Sequence, residues 1–348
     1  MTQLQPIDGL HHVTVMSGDP EANVRFFRDA LGLRLVKRTV NFDDAGTYHL
    51  YYGDETGQPG TAYTVFPFGE GRRGPSGTGE VSATGFAVPA GSIDYWRDRL
   101  SDADASVREP ETRFGSRVLP FTDPDGQELE LVETDAFGSV EPWDGSPVPA
   151  EHQIRGFHSV SLRLADAEPT ADLLEFMGFD RVDEAGDRVR FRGAGDHAAV
   201  VDLVERPDAG RAGNGIGSVH HVAFSVPDDE TQTAWQAALR DRGLHATEVK
   251  DRQYFRSIYF REPGGVLFEF ATDGPGFTAD ESVAELGSGL RLPEWLEDDR
   301  DRIESALPEL DVFEASDDGA GDHAGDDEAG DSAGGDADAG DEEVPADD

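Results

Sequence analysis

The sequence predicts an α+β fold built from four βαβββ modules, which fall into two halves of two modules each. Two observations lead to this prediction. Four successive segments share one order: a strand, a helix, and short strands that close the unit. In addition, the turns DPDG (123–126) and EPGG (262–265) lie at equivalent places in the second and fourth segments. A unit that recurs along a chain indicates a repeated fold.

The first half, residues 1–140, contains modules one and two. Apolar residues recur every three or four positions in each expected helix and alternate in each expected strand. Module one consists of the strand GLHHVTVMSG (9–18), the helix ANVRFFRDALG (22–32), and the strands RLVKRTV (34–40), TYHLYYG (47–53) and TAYTVFPF (61–68). Module two consists of the strand VSATGFAV (81–88), the helix SIDYWRDRLSD (92–102) and the hairpin SRVLPFTDPDGQELELVE (116–133).

The second half, residues 154–275, repeats this order in modules three and four. Module three consists of GFHSVSLRL (156–164), the helix TADLLEFMG (170–178), DRVRFRG (187–193) and AAVVDLV (198–204). Module four consists of SVHHVAFSV (218–226), the helix DETQTAWQAALRDRG (229–243) and the hairpin RSIYFREPGGVLFEFAT (256–272).

Three further segments lie outside the modules. A Pro/Gly-rich linker, residues 141–153, joins the halves. Residues 276–315 form a C-terminal helical segment, in which LPEWLEDDRDRIESALPEL (292–310) predicts one amphipathic helix packed on the body. Residues 316–348 are acidic, of low complexity and poor in large apolar residues. We expect this tail to be disordered, because it cannot offset its ordering entropy.

The chain is strongly acidic, with 72 Asp and Glu residues against 29 Lys and Arg and a net charge of −43. The acidity is global, because 58 of the acidic residues precede the tail, and only Lys37 and Lys250 are lysines. Such a field repels nucleic acid and anionic membranes, which are therefore excluded as partners. Acid-rich, lysine-poor surfaces resemble those of proteins from salt-loving microbes, so we expect a halophile cytosol.

The absence of cysteine excludes disulfides, a thiol nucleophile and a cysteine-based zinc site. The N-terminus carries no signal-peptide pattern, and no apolar run is long enough to span a bilayer. We therefore expect a cytoplasmic protein.

A repeated motif, HHV, marks the candidate site. His12 opens module one and His221 takes the matching position in module four, while module three has Ser159 there. Glu269 lies in the last strand of module four among large apolar residues, where an unpaired carboxylate would be costly to bury. Two imidazoles and one carboxylate with open positions form the facial triad typical of non-haem Fe(II) sites. A single histidine would more often be an ordinary half-buried residue, so the prediction depends on the set of three.

The sequence also suggests roles for other residues. Tyr259 and Glu269 are equidistant from Gly264 in the EPGG hairpin, so a symmetric register places the phenol beside the carboxylate. Glu130, the counterpart of Glu269 in module two, is interpreted as a paired or solvent-facing carboxylate without a metal. Four other histidines, His49, His152, His197 and His245, are interpreted as surface or loop residues. The aromatic residues Phe255, Phe268 and Trp96 are candidates for pocket walls, with an ordinary core role as the alternative.

These motifs are similar to those of the vicinal oxygen chelate superfamily of glyoxalases, bleomycin resistance proteins and extradiol dioxygenases. Within it, the chain resembles the hydroquinone-type ring-cleaving dioxygenases over about residues 7–310. The resemblance is carried by GLHHVTVMSGDPEANVRFF (9–27), ATGFAVPAGSIDYW (83–96), GSVHHVAFSV (217–226) and YFRSIYFREPGGVLFEFATDGPGF (254–277).

The resemblance implies curled mixed sheets, in which modules one and four form a metal-bearing cup and modules two and three a metal-free one. It implies Fe(II), with Mn(II) as the alternative ion, bound by His12, His221 and Glu269. A small aromatic diol and O₂ would be the reaction partners, and the chain would associate into a homo-oligomer, as members of the family commonly do. The residues that the resemblance places around the metal are His11, Thr14, His220, Arg252 and Tyr259. Strict alternation points His11 and His220 to the opposite face, so they need a twist or bulge to reach the site, or else they are core histidines.

Two alternatives remain open: a different enzyme on the same scaffold, either glyoxalase-like or catechol-type, and a protein that binds without catalysis. A glyoxalase-like isomerase or lyase on the same scaffold would use more protein ligands, whereas AYTVFPF and AAVVDLV offer no Glu. A catechol-type extradiol enzyme would take all its ligands from the C-terminal half, against which the use of His12 argues. The second alternative is a protein of this fold that binds a small molecule without turnover.

Overall fold

The computed structural model describes residues 4–310, and its strands follow the expected modules. Module one contains β1 (Leu10–Ser17), α1 (Pro20–Val24), a π-helical turn (Arg25–Ala30), β2 (Arg34–Asn41), β3 (Asp44–Gly53) and β4 (Ala62–Pro67). Module two contains β5 (Glu80–Val88), α2 (Ile93–Ser101), β6 (Ser106–Val107), β7 (Glu111–Arg113), β8 (Ser116–Thr122) and β9 (Glu128–Glu133). Module three contains β10 (Phe157–Leu164), α3 (Glu168–Met177), β11 (Asp180–Ala185), β12 (Arg188–Arg192) and β13 (Val200–Glu205). Module four contains β14 (Ser218–Val226), α4 (Asp229–Asp241), β15 (Lys250–Asp251), β16 (Arg256–Arg261) and β17 (Leu267–Thr272).

The strands form two mixed sheets, and each sheet takes one module from each half of the sequence. The first has the order β15-β16-β17-β14-β1-β4-β3-β2, so modules one and four meet where β1 pairs antiparallel with β14. The second has the order β11-β12-β13-β10-β5-β9-β8-β6, with β7 added on β8, and modules two and three meet at β5 and β10. The expected α+β fold and the pairing of module one with module four are confirmed.

One face of the first sheet packs into the hydrophobic core, which leaves the other face for a site. Val13 and Val15 of β1 are buried in the main core cluster, which also contains Trp235 and Leu239 of α4. Because successive side chains of a strand point to opposite faces, His12 and Thr14 lie on the other side of the sheet.

The C-terminal helix was predicted as one element, and this prediction is wrong. Two short helices, α5 (Glu294–Glu297) and α6 (Arg300–Ala306), follow two 3₁₀ turns at Phe277–Ala279 and Val283–Glu285. The acidic run Glu297–Asp298–Asp299 explains the break, because negative charge at a helix C-terminus opposes the helix dipole. Ile303 of α6 is nevertheless buried in the core, so the segment does pack on the body.

None of the helices within residues 4–310 is long and apolar enough to cross a membrane. The tail that was expected to be disordered, residues 316–348, lies outside the described residues.

Candidate functional site

Three adjacent strands bring the repeated histidines and the buried carboxylate together. His12 of β1 is opposite Ala223 of β14, which in turn is beside Glu269 of β17. His221 of β14 is opposite Thr14, one step further along the same face. The three candidate ligands therefore share one face of the sheet, although His12 and Glu269 are separated by most of the chain.

The atoms of these side chains converge on one point. His12 Nε2 lies 3.2 Å from His221 Nε2 and 3.3 Å from Glu269 Oε2, and His221 Nε2 lies 2.8 Å from the same oxygen. All three residues are buried. Glu269 Oε1 accepts a short hydrogen bond from Ser257 Oγ, whereas Glu269 Oε2 has no partner with hydrogen-bond geometry among the described residues. A buried carboxylate oxygen left in this way, facing two imidazole nitrogens, fits a metal ion.

Two β-bulges turn His11 and His220 toward their neighbours. On β1 the register advances from Leu10 to His12 while β14 advances by one residue, so His11 is the extra residue. On β14 the register skips His220 in the same way between His221 and Val219. A bulge places consecutive side chains toward one side of the sheet, which is the departure from alternation that these two histidines needed.

The hydrogen bonds of His11 determine which nitrogen of His12 is free. His11 Nε2 lies 3.2 Å from the carbonyl oxygen of Thr272, which can only accept, so this nitrogen carries the proton. His11 Nδ1 then accepts from His12 Nδ1–H at 2.9 Å. The lone pair of His12 Nε2 is left pointing at His221 and Glu269, as a metal ligand requires.

His220 supports His221 in the same manner. His220 Nδ1 lies 2.7 Å from His221 Nδ1, so a ligating His221 Nε2 makes His220 the acceptor and leaves its Nε2–H for the cavity. Burial, together with the charge of the neighbouring histidine, lowers the pKa of His11 to about 3 and the pKa of His220 to about 4. Both rings are therefore neutral near pH 7. Burial opposes the ionisation of Glu269, but His12 and His221 lower the pKa of its carboxyl well below the ordinary value.

Tyr259 lies directly opposite Glu269 in the β16–β17 ladder, which confirms the register expected from the EPGG hairpin. Its ring meets that of His221 edge-on, with centroids 5.6 Å apart. Burial and the Glu269 charge raise the pKa of Tyr259, so the phenol keeps its proton. Arg252 Nε donates to Tyr259 Oη at 3.2 Å, and Arg252 Nη2 donates to Asp43 Oδ2 at 2.9 Å. Asp43 was not expected from the sequence.

A cavity of about 290 Å³ opens next to these residues. Its aromatic and apolar lining includes Met16, Phe42, Phe66, Phe68 and Phe255. Phe255 therefore is a pocket wall, whereas Phe268 and Trp96 are fully buried in the main core. The size and the apolar walls suit one small aromatic molecule.

His49 was interpreted as a surface or loop residue, and this interpretation is wrong. It lies in β3 and lines the cavity together with Tyr51. Tyr51 Oη lies 2.8 Å from His49 Nδ1, His49 Nε2 lies 3.0 Å from Thr64 Oγ1, and Thr64 Oγ1 lies 2.7 Å from Thr14 Oγ1. Alternation in β3 was the available signal, because Tyr48, Leu50 and Tyr52 belong to the main core and the residues between them face the site.

Comparison with known proteins agrees with the resemblance read from the motifs. Residues 9–131 and 156–270 match the Glyoxalase/Bleomycin resistance protein/Dioxygenase superfamily. MhqO of Bacillus subtilis strain 168, named provisionally as a ring-cleaving dioxygenase, is 45% identical over 307 residues, which cover 88% of this chain and 97% of MhqO. The chlorohydroquinone/hydroquinone 1,2-dioxygenase of Sphingobium indicum is 40% identical over 316 residues, which cover 87% of this chain and 97% of that protein.

Solved structures agree with these sequence relatives. A crystal structure from Bacillus subtilis strain 168, named provisionally as a dioxygenase, superposes with a TM-score of 0.85 at 44% identity and covers 88% of this chain and 99% of that one. Glyoxalase I of Zea mays superposes with a TM-score of 0.55 at 17% identity, over 76% of this chain and 92% of that one. The second likeness concerns the fold alone.

Proposed function

Since the chain belongs to the glyoxalase/bleomycin resistance protein/dioxygenase superfamily, we propose that it is a ring-cleaving dioxygenase that opens a hydroquinone-type aromatic diol with O₂ at a non-haem Fe(II) ion. The single observation that carries this proposal is the convergence of His12 Nε2, His221 Nε2 and Glu269 Oε2 beside an aromatic cavity. Two relatives support it: MhqO, named provisionally as a ring-cleaving dioxygenase, at 45% identity, and the chlorohydroquinone/hydroquinone 1,2-dioxygenase at 40% identity.

The ligand set favours an open metal site. Within residues 4–310, His12, His221 and Glu269 are the group of His and carboxylate side chains close enough to share an ion. The last strand of module one offers Thr64 beside Thr14 and no carboxylate that could serve as a fourth ligand. Two imidazoles and one carboxylate leave positions for substrate and O₂, which is the arrangement of non-haem Fe(II) oxygenases, with Mn(II) as the alternative ion. When bound, the ion supplies a template for the diol and O₂ and a path for electrons between them.

The surrounding side chains have separate tasks in this proposal. His11 and His220 fix the tautomers of the two ligating imidazoles through their Nδ1 atoms. His220 Nε2–H and Tyr259 Oη–H are donors on the cavity wall, where they can hold an oxygen of the diol or transfer its phenolic proton. Arg252, which Asp43 holds in place, provides a fixed positive charge beside Tyr259 for negative charge that develops on the ring oxygens. Thr14 is buried opposite His221 and supports the strand that carries His12.

Oxygen uptake tests the proposed function. Protein purified without oxygen and loaded with Fe(II) should consume O₂ when given hydroquinone or a methyl- or chloro-hydroquinone. His221→Ala should lose both iron and uptake, because one of three ligands is removed. His245→Ala, which changes an exposed histidine, is the matched control and should retain both. An iron-loaded wild-type protein that takes up no O₂ with any hydroquinone or catechol would favour a binding protein without turnover.

The acidic surface supports a second part of the proposal, that the protein works in the cytoplasm of a salt-loving microbe. A net charge of −43 makes the folded chain repel itself, and salt screens that repulsion. The free energy of unfolding should therefore rise between about 0.1 M and about 2 M KCl. A value that falls or stays constant over this range would contradict adaptation to salt.

A further inference from the structure

A chain of four hydrogen-bonded side chains lies in the wall of the candidate site, and the proposal above uses only one of them, Thr14, as a support for its strand. The chain runs from Tyr51 through His49 and Thr64 to Thr14, with contacts of 2.8, 3.0 and 2.7 Å. Tyr51 is 1% exposed, and Thr14 and Thr64 are fully buried. Burial also lowers the pKa of His49 well below its ordinary value, so the ring is neutral and carries one N–H.

Counting hydrogens shows that this chain has one donor too many. Three hydroxyl groups and a neutral imidazole carry four hydrogens, whereas three contacts use three of them. The side chains of Tyr51 and Thr14, at the two ends, make no other hydrogen bond within the described residues. One hydroxyl group, that of Tyr51, Thr64 or Thr14, therefore has a hydrogen without an acceptor in the protein, and a buried donor left in this state is costly.

The position of the cavity decides which hydroxyl group carries the spare hydrogen. Tyr51 lines the cavity, whereas Thr14 and Thr64 are buried and are not part of the lining. A spare hydrogen on Thr14 or Thr64 would stay unpaired, but one on Tyr51 can meet an acceptor inside the cavity. The favoured direction therefore runs from Thr14 O–H to Thr64, from Thr64 O–H to His49 Nε2, and from His49 Nδ1–H to Tyr51 Oη.

We propose that Tyr51 Oη–H donates a hydrogen bond to an oxygen of the bound aromatic diol, the one that is not on the metal, and that His49 is the residue that positions Tyr51. The inference rests on the proposed function, because it takes an aromatic diol as the ligand. A ligand with a second hydroxyl supplies the missing acceptor, and a ligand without one leaves the donor unpaired. Tyr51 is thus a specificity-determining residue that favours a diol over a monohydric phenol.

Contacts with neighbouring aromatic rings hold this donor in one orientation. The ring of Tyr51 packs against that of His49 with centroids 4.0 Å apart and against Phe277 at 4.8 Å. His49 also packs against Phe66, 4.2 Å away, so both rings of the pair have little freedom. A donor that is already fixed loses little entropy when the ligand binds.

Binding without oxygen tests the inference. The Fe(II)-loaded protein is titrated anaerobically with hydroquinone and with phenol. The dissociation constant of phenol divided by that of hydroquinone gives a ratio that measures the preference for the diol, and this ratio is compared between wild type and Tyr51→Phe. The variant should lower the preference for hydroquinone about 3- to 10-fold, as expected for one neutral hydrogen bond, and leave phenol binding unchanged. An unchanged ratio, equal weakening of both ligands, or failure of the wild-type protein to bind hydroquinone would each overturn the assignment.

Two further variants separate positioning from folding. Tyr52→Phe is the matched control, because Tyr52 is a buried tyrosine of the same strand whose hydroxyl donates to Asn23 Oδ1 at 2.9 Å outside the cavity. It should leave the ratio unchanged. His49→Phe should lower the ratio in wild type but add no further change in the Tyr51→Phe background, because it acts through Tyr51. Additive changes would show that His49 does not act through Tyr51 and would overturn its positioning role.

Oxygen uptake by the wild-type protein is measured separately, so the two proposals can fail independently. Oxygen uptake together with an unchanged binding ratio would support the dioxygenase proposal and contradict the Tyr51 contact. A ratio that is lowered in Tyr51→Phe, without oxygen uptake by the wild-type protein, would support the diol site and contradict the dioxygenase proposal.

Discussion

The two sheets share one strand order, yet the first brings imidazoles to its buried carboxylate, whereas the second has no imidazole at the equivalent positions and neutralises its buried carboxylates with guanidinium groups. We call the site around His12, His221 and Glu269 the metal cup. The equivalent face of the second sheet, which we call the arginine cup, has Ser159 beside β13, Ala83 opposite β10, and Glu130 on β9. Its bulges fall at His158 and Ser82, as those of the metal cup fall at His11 and His220. The backbone is thus repeated closely, and the side chains alone make the difference.

The buried carboxylates of the two cups are neutralised in different ways. In the arginine cup, Arg113 Nη1 donates to both oxygens of Glu130, at 2.9 and 2.7 Å. Arg252 is at the equivalent turn of the metal cup, where it donates to Tyr259 and Asp43 instead. Both arginines precede a residue with positive φ, Phe114 at 48° and Gln253 at 68°. A guanidinium supplies the positive charge for Glu130, whereas Glu269 faces two imidazoles and, in the proposed function, a metal ion.

The neighbouring strands show the same contrast. Beside Ser161, the arginine cup has Asp202, which accepts hydrogen bonds from Arg188 and Arg190. Beside Thr14, the metal cup has Thr64, which bonds to His49. The cluster around Asp202 is closed by opposite charges, whereas the neutral chain that ends at Tyr51 keeps a donor for a ligand. Binding a metal ion and a diol therefore requires that some polar groups of the metal cup have no partner within the protein.

The largest effect is expected from a substitution of a candidate metal ligand in the metal cup. Glu269→Gln removes the anionic ligand, so metal affinity should fall by more than about 100-fold, beyond the loss typical of residues that only support ligands. Metal analysis of the folded protein and oxygen uptake measure the effect. Glu130→Gln is the matched control and should retain metal in every folded molecule. Loss of metal from both variants would show that the two cups do not differ in this respect.

The second prediction breaks the arginine cup. Arg113→Met leaves Glu130, which is 4% exposed, without its guanidinium, and the free energy of unfolding should fall by about 3–5 kcal/mol. Metal content should not change. Adding Glu130→Leu should recover most of the lost stability, because it removes the unpaired buried charge. Chemical denaturation followed by fluorescence gives the values, and a single variant as stable as wild type would contradict the role assigned to Arg113.

The metal cup was more predictable from the sequence than the arginine cup, for a physical reason. The HHV motifs recur at matching positions of the repeat, and a buried Glu269 among apolar residues identified the third ligand. The symmetric hairpin gave the position of Tyr259. His49 lacks a partner in the repeat, so only the alternation of β3 could have identified it. Arg113 and Glu130 meet through strand pairing over 17 residues, and no local pattern distinguishes this ion pair from the many others in an Arg- and Glu-rich chain.

The third prediction concerns the pH dependence of stability that His158 of the arginine cup causes. Burial, with a smaller contribution from Arg190, lowers the pKa of His158 to about 4, below the ordinary value of about 6.5 for the unfolded chain. In this pH range His158 therefore binds a proton in the unfolded state but not in the folded state. The free energy of unfolding decreases as the pH falls from about 6.5 toward 4. Between pH 7.5 and pH 5.0 this histidine should account for a loss of about 2 kcal/mol.

His158→Gln tests this contribution. The variant should show a decline in unfolding free energy between these two pH values that is smaller than that of wild type by about 2 kcal/mol. Because His158 is in the arginine cup, any effect of acid on the metal ligands is common to both proteins and cancels in the difference. Equal declines would mean that His158 is as easily protonated in the folded chain as in the unfolded one.

The smallest expected effects lie at the rims of the cups. Arg108 pairs with Glu128 beside the arginine cup, and Lys250 lies 3.8 Å from Asp43 beside the metal cup. Arg108 is 56% exposed and Lys250 is 45% exposed, so water and salt screen both pairs. Arg108→Gln and Lys250→Gln should each change the free energy of unfolding by less than about 0.5 kcal/mol. A change of several kcal/mol in either variant would mean that the rims, and not the buried groups alone, determine how the two cups differ.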